Sequence, residues 1–379
     1  MRSKELILVT GAAGFIGGHL VDTLLKSGYR VRGLDNLAPP VHAGRLPAWF
    51  NKRAQFMRGD VREKEDWVRA LRGVSTVFHL AAYMDFHPDF STYLASNVTS
   101  IASLFEVIKK KGYPIKKIIA ASSQSVYGEG KYRCSRHGVL YPETRSEAQL
   151  SSRDWQVHCP HDRSVMKPMR EKEDDFFQPH NMYGISKKQM EEVLFYLGKR
   201  SHIPVVALRY SIVHGPRQTV RHFYSGALRQ LAMMALSGMP LTMHEDGRQT
   251  RDFVHIEDVM QAHLTVFRDN RADYEAFNVG SGRAYTVREL SRTIREVSGI
   301  RARFEFPGLY RIGTARHSVA DITKLRRLLW KPRHTLRDNV RDYIEWIRSY
   351  PVARNVLRQN LHELDKQNIV KRARFHLSS

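Results

Sequence analysis

The sequence predicts an α/β fold: a doubly wound parallel sheet with helices on both faces, followed by a smaller mixed α/β lobe. Three observations carry this. Short apolar bursts recur at Leu6–Val9, Val31–Leu34, Val77–Leu80, Ile118–Ala121 and Val205–Leu208, as expected of strands buried on both faces. Helix-period stretches fall between them over 15–27, 63–71, 91–111 and 181–200, and repeated strand–helix units of this length make parallel crossovers. From about 212 the elements shorten and turn residues multiply, which reads as a lobe over the carboxyl edge of the sheet.

The 379 residues suit one large domain or two. We place the first at 1–211, with an insertion at about 130–178, and the second at 212–379, ending in one or two basic surface helices and a frayed terminus over 335–379. At 42% hydrophobic and 26% charged, the chain is neither fibrous nor disordered. It has no apolar run long enough to span a bilayer, so no membrane partner is expected, and its first ten residues read as a strand. Two cysteines, Cys134 and Cys159, exclude a disulfide scaffold and suit a reducing compartment, so we expect a cytoplasmic protein. The charge is less ordinary: 61 Lys and Arg against 38 Asp and Glu leave +23. Such a chain handles nucleic acid, acidic lipid or a polyanionic small molecule. The basic residues lack interleaved aromatics or a known binding module, which argues against nucleic acid.

The first element with chemistry in it is the turn after the first strand, with glycines at Gly11, Gly14 and Gly17, and Phe15 and Ile16 opening a helix. Small residues here let the backbone approach a pyrophosphate seated on the helix N-terminus. Asp35, followed by Asn36, ends the next strand, where a carboxylate accepts ribose hydroxyls and repels a 2′-phosphate. The pattern predicts a Rossmann-type site for NAD rather than NADP. Asp60 and Val61 after the third strand, and Leu80, Ala81 and Ala82 after the fourth, then flank adenine and phosphates.

Next comes a hydroxyl-rich strand end, Ser122-Ser123-Gln124-Ser125-Val126-Tyr127-Gly128, and then Tyr183-Gly184-Ile185-Ser186-Lys187 at a helix start. Tyr183 and Lys187 share a helical face. A free phenol titrates near about 10, so acting as a base at neutral pH requires roughly 4 kcal/mol of help. The expectation is that the Lys187 ammonium and a positive nicotinamide ring supply it, while Ser123 steadies the developing alkoxide.

Together these segments resemble the extended short-chain dehydrogenase/reductases, in the branch of NAD-dependent sugar-nucleotide epimerases and dehydratases. The resemblance continues through Asn97, Leu208-Arg209-Tyr210, Asp246-Gly247, Arg251-Asp252-Phe253 and Arg311-Ile312-Gly313. It implies Ser123, Tyr183 and Lys187 as catalytic residues, NAD cycling in place (with Asn97 also at the coenzyme), and a dTDP- or UDP-linked sugar as substrate. It further implies Ser125 and Tyr127 at the sugar, Arg251, Arg311 and Arg316 on the diphosphate, His244 against the base, and a homodimer through helices 91–111 and 181–200. Where dehydratases carry an Asp-Glu pair, this chain has Gln124 and Ser125, neither a useful acid or base. The expected reaction is therefore 4-epimerisation. A 4-ketoreductase or dehydrogenase and a 4,6-dehydratase are the alternatives, and a basic nucleic-acid binder is the alternative of another class. The sequence departs from the pattern at Ile212, His214 and Thr314. The insertion resembles one found in a subset that includes dTDP-L-rhamnose 4-epimerases. Within it, Cys134, His137, Cys159 and His161 have the chemistry of zinc ligands. With 18 histidines in the chain, chance clustering is the expected explanation, and no metal is assigned.

Overall fold

The computed structural model describes residues 5–42, 44–85, 88–220, 226–349 and 369–373. Its centre is a seven-stranded, wholly parallel sheet built on β1 (Leu6–Thr10), β2 (Arg30–Asp35), β3 (Gln55–Arg58), β4 (Val74–His79) and β5 (Lys117–Ser123). The spatial order is Glu275–Val279, Val205–Tyr210, β5, β4, β1, β2, β3. The order reverses between β1 and β4, so a crevice opens beyond their carboxyl ends, where open α/β sheets take ligands.

Alternation along each strand explains why both faces are covered. Ile7 and Val9 join the core beneath α1 (Phe15–Lys26) and the helix Ile256–Arg268. Leu6 and Leu8 point the other way, toward Trp67 of α2 (Lys64–Ala70), Leu104, Met190 and Leu194. The second lobe has its own core, where helices Ala227–Leu236, Val287–Ser298 and Leu336–Arg348 pack with Phe253 and Tyr343. Helix Val287–Ser298 starts at a Thr286/Glu289 capping box and stops at left-handed Gly299.

Two expectations need correction. The boundary at 211 is crossed: the chain enters the second lobe, then returns as helix Ile256–Arg268 and strand Glu275–Val279, the seventh strand of the sheet. Asn278 breaks the apolar run there, which hid the strand. Helix Leu336–Arg348 is also not a surface helix, since it buries Val340, Tyr343, Ile344 and Ile347. Of the expected basic terminus, 350–368 and 374–379 lie outside the described residues. The insertion forms a small three-stranded antiparallel sheet, Tyr132–Cys134, Gly138–Leu140 and Lys167–Pro168.

Candidate active site

β5 runs buried to Ser123, whose hydroxyl accepts the Ser125 amide (3.1 Å) and so caps the short turn Gln124–Tyr127. Helix Met182–Arg200 starts beside it, with the Asn181 side chain accepting the Gly184 amide (2.8 Å). Only glycine allows this approach, because a Cβ at 184 would lie 2.5 Å from the Ser125 carbonyl oxygen. The contact brings the Tyr183 hydroxyl into hydrogen bonding with Ser123. One turn on, the Lys187 ammonium is buried, donates to the Ala121 carbonyl (2.8 Å) and stands 5.8 Å from the Tyr183 ring centre. The structure thus assembles Ser123, Tyr183 and Lys187 at the carboxyl edge of the sheet.

Without the coenzyme, burial acts on both groups. Burial pushes the Tyr183 phenol up to about 12, against the hydrogen bond from Ser123, and lowers Lys187 to about 8, against the pull of Glu191. The lysine's hydrogen bond goes to the Ala121 carbonyl rather than to the phenol. Glu191, on the same helix face, is held by Arg209 (2.7 Å) and by a short hydrogen bond from Ser122. The sequence reading missed Glu191, although its position four residues after Lys187 was a signal.

The turn after β1 is shaped for a phosphate. Gly11 sits at φ +65°, and a Cβ at Gly17 would fall 2.0 Å from the Gly11 carbonyl oxygen. Gly14 caps α1 without any side-chain acceptor, so the first amides of the helix, beside Phe15 and Ile16, are open to an anion. The Asp35 carboxylate accepts the Ala13 (2.9 Å) and Leu37 (2.8 Å) amides, which fixes it beside that turn. Asn36 donates to Asp60 (3.0 Å), and despite burial the hydrogen bonds from Arg62 and Asn36 hold Asp60 down at about 2. Thr10 accepts the Leu80 and Ala81 amides (3.1 and 3.0 Å), tying the β4 end, with Ala82 exposed beyond it, against Gly11. Val61 is buried, its carbonyl accepting from Trp67 (2.8 Å). This glycine cradle, uncapped helix and fixed carboxylate fit NAD. Asn97 does not present itself to that cradle: its amide is committed to the Tyr83 backbone and Ser186 (2.8–3.0 Å).

The expected substrate residues divide. Ser125 is half-buried, its hydroxyl 3.1 Å from that of Ser123, at the mouth of the site. Tyr127 is withdrawn: it is 2% exposed, donates to Asn278 (2.7 Å) and accepts from Arg209 (2.9 Å). Across the crevice, Arg251, Arg311, Arg316 and His244 gather on the second lobe. Arg251 donates to the carbonyls of Thr250, Ala315 and Arg316 (2.7–3.0 Å). Arg316 is 1% exposed and paired with Glu245 (2.6 Å) and Asp246 (2.8 Å), so it anchors this wall rather than offering itself to a ligand. Burial, then neighbouring Arg311, lowers His244 to about 3, leaving a flat neutral ring. Arg145 is a residue no sequence signal marked. It reaches in from the insertion to grip Glu245 with two hydrogen bonds (2.9 and 3.1 Å). The Ser318–Gln124 contact (3.3 Å) joins this wall to the turn that follows β5.

The sequence profile of the NAD dependent epimerase/dehydratase family matches residues 7–147 and 157–280. A dTDP-L-rhamnose 4-epimerase of Burkholderia thailandensis is 30% identical over 90% of this chain and 94% of its own. Among solved structures, the UDP-glucuronic acid 4-epimerase from Bacillus cereus, in complex with UDP-glucuronic acid and NAD, is similar at a TM-score of 0.73 and 29% identity, covering 91% of this chain and 99% of that one. The UDP-glucose 4-epimerase of Thermotoga maritima, with UDP-glucose, gives 0.71 and 28%, covering 91% and 99%.

Proposed function

This chain belongs to the NAD dependent epimerase/dehydratase family, and from that premise we propose that it is a nucleoside-diphosphate-hexose 4-epimerase acting on dTDP-L-rhamnose and its C4 epimer. The family fixes the cofactor as NAD and the chemistry as that of sugar-nucleotide epimerases. One observation supports the narrower reading best: Tyr183 meets Ser123 at a strand end where Gln124 and Ser125 supply no acid–base pair for eliminating water.

NAD, when bound, supplies the hydride acceptor and donor for C4. The chain handles the proton and the charge. Tyr183 takes the proton of the 4-hydroxyl and later returns it. Ser123 donates to the same oxygen as charge develops, an oxyanion-type contact. Lys187, fixed by the Ala121 carbonyl, keeps a positive charge near the phenolate. Inversion follows when the 4-keto sugar presents its other face before the hydride returns. Arg251, Arg311 and His244 are the groups we assign to the nucleotide end of the substrate.

The test is incubation with dTDP-L-rhamnose without added coenzyme, followed by proton NMR. Inversion at C4 is expected. No inversion of any dTDP- or UDP-hexose would sink the proposal, and accumulating NADH would identify a dehydrogenase instead. Phe90, Leu94 and Tyr196 are exposed on the adjoining helices 90–94 and 182–200, which supports a homodimer formed through that face. The two buried, unbridged thiols suit a reducing compartment, and we infer a cytoplasmic location.

A further inference from the structure

We propose that the insertion binds a structural zinc ion through Cys134, His137, Cys159 and Asp162. The four ligand atoms lie within 4.8 Å of one another. His137 Nδ1 stands 3.5 Å from Cys134 Sγ, 3.4 Å from Cys159 Sγ and 3.7 Å from Asp162 Oδ2. Around a tetrahedral zinc with bonds of about 2.0–2.3 Å, neighbouring ligand atoms are about 3.4–3.8 Å apart. Hydrogen bonding accounts for the arrangement only in part: Cys134 Sγ also lies 3.5 Å from the Ser164 hydroxyl, and Cys159 also hydrogen-bonds Asp162, but the single ring nitrogen of His137, with one lone pair or one proton, is faced by two thiols and a carboxylate.

The surroundings suit a metal as well. Cys134 closes the strand Tyr132–Cys134, and His137 follows on the turn into Gly138 (φ +75°). Cys159 and Asp162 lie on a second turn, closed by the Arg163 amide to the Cys159 carbonyl (3.0 Å), with Arg163 at φ +60°. Each turn therefore supplies two ligands three residues apart, the spacing of zinc ribbons. Ser164 donates its amide (3.0 Å) and hydroxyl (2.7 Å) to Asp162 Oδ1, which orients the carboxylate, while its buried Oδ2 has no hydrogen-bond partner. Thiolates with imidazole favour zinc over magnesium or calcium. The fold needs the help: the core of the insertion is Tyr132, Cys134, Val157, Cys159 and Met166, too few groups to order a module alone, and two of them are the thiols. The ligand set differs from the sequence expectation in one member. His161 lies against the His137 ring (centroids 4.8 Å apart) and Asp162 takes the fourth place.

The proposal is independent of the reaction. Full-length protein, purified under reducing conditions without chelator, should carry about one zinc per chain by elemental analysis. Cobalt exchanged into the wild-type protein should give thiolate charge-transfer bands and the visible bands of a tetrahedral site. Cys134→Ser and Asp162→Ala should lose the metal, and chelation of the wild type should expose 131–168 to limited proteolysis. Zinc below about a tenth per chain after zinc-supplemented growth, with both thiols free, would overturn the assignment. So would a Cys134–Cys159 disulfide in the metal-free protein.

Discussion

At the scale of single residues, the decisive pair is Tyr183 and Lys187, because burial acts on both in the unhelpful direction. A phenol at about 12 must come down by roughly five units to work at pH 7, or roughly 7 kcal/mol. Lys187 alone does not supply that, so the positive charge of the oxidised coenzyme is needed. We therefore predict that NAD-stripped protein shows Tyr183 ionising near pH 12, read as the ultraviolet phenolate difference between wild type and Tyr183→Phe. Adding NAD should lower that midpoint by several units, and no movement would contradict the account. With the phenol raised, the active phenolate is lost as pH falls, so kcat should climb with pH through neutrality. It should decline again as Lys187 gives up its proton, at about 8 before the coenzyme charge is added. Tyr183→Phe should cut kcat by roughly 10²- to 10⁴-fold with nucleotide binding retained in calorimetry. The meeting of Tyr183 and Lys187 on one helix face was legible because a fixed spacing carries it. The internal commitments of Tyr127, Asn97 and Arg316 were not legible, because their partners, Asn278, Ser186 and Glu245, are remote in sequence. A motif names a residue without saying which way it points.

At the scale of elements, the site depends on how closely helix Met182–Arg200 meets the end of β5. Gly184→Ala would put a methyl 2.5 Å from the Ser125 oxygen and push the helix start outward. Displacements on the order of 1 Å cost about 10²-fold in rate. We expect kcat to fall by that order with the circular dichroism spectrum unchanged, and a fully active variant would refute the close-approach argument. A π-helical stretch, Ala95–Thr99, interrupts the run from 90 to 111 and buries Asn97 against the Tyr83 backbone. The run was legible as one helix, but its irregularity was not, since apolar periodicity averages over a single extra residue. The strands of the insertion, two and three residues long, fall below any periodicity test.

Taken whole, the molecule sets a sheet edge against a wall whose arginines are largely paired within the protein, Arg145 and Arg316 with Glu245 and Asp246 and Arg251 with backbone carbonyls. The parallel sheet was legible from its apolar strands, whereas the return of the chain at 256–279 was not, because it depends on tertiary pairing. Tyr196 is 63% exposed on a helix beside Phe90 (57%) and Leu94 (39%). We expect wild type to sediment as a dimer at micromolar concentration and Tyr196→Glu to shift it to monomer, since a charge there would be desolvated on association. A monomeric wild type would refute the interface.

The grip of Arg145 on Glu245 ties the insertion to the interior. Surface excursions are ordinarily expendable, since lengthening or trimming them changes little. This one delivers one of two counter-charges to a remote buried acid, so pruning it leaves that acid with Arg316 alone. Removing 131–168 should cost about 1–3 kcal/mol in a denaturation experiment through the two hydrogen bonds that Glu245 loses. An excursion that helps neutralise the interior is part of the fold it adorns.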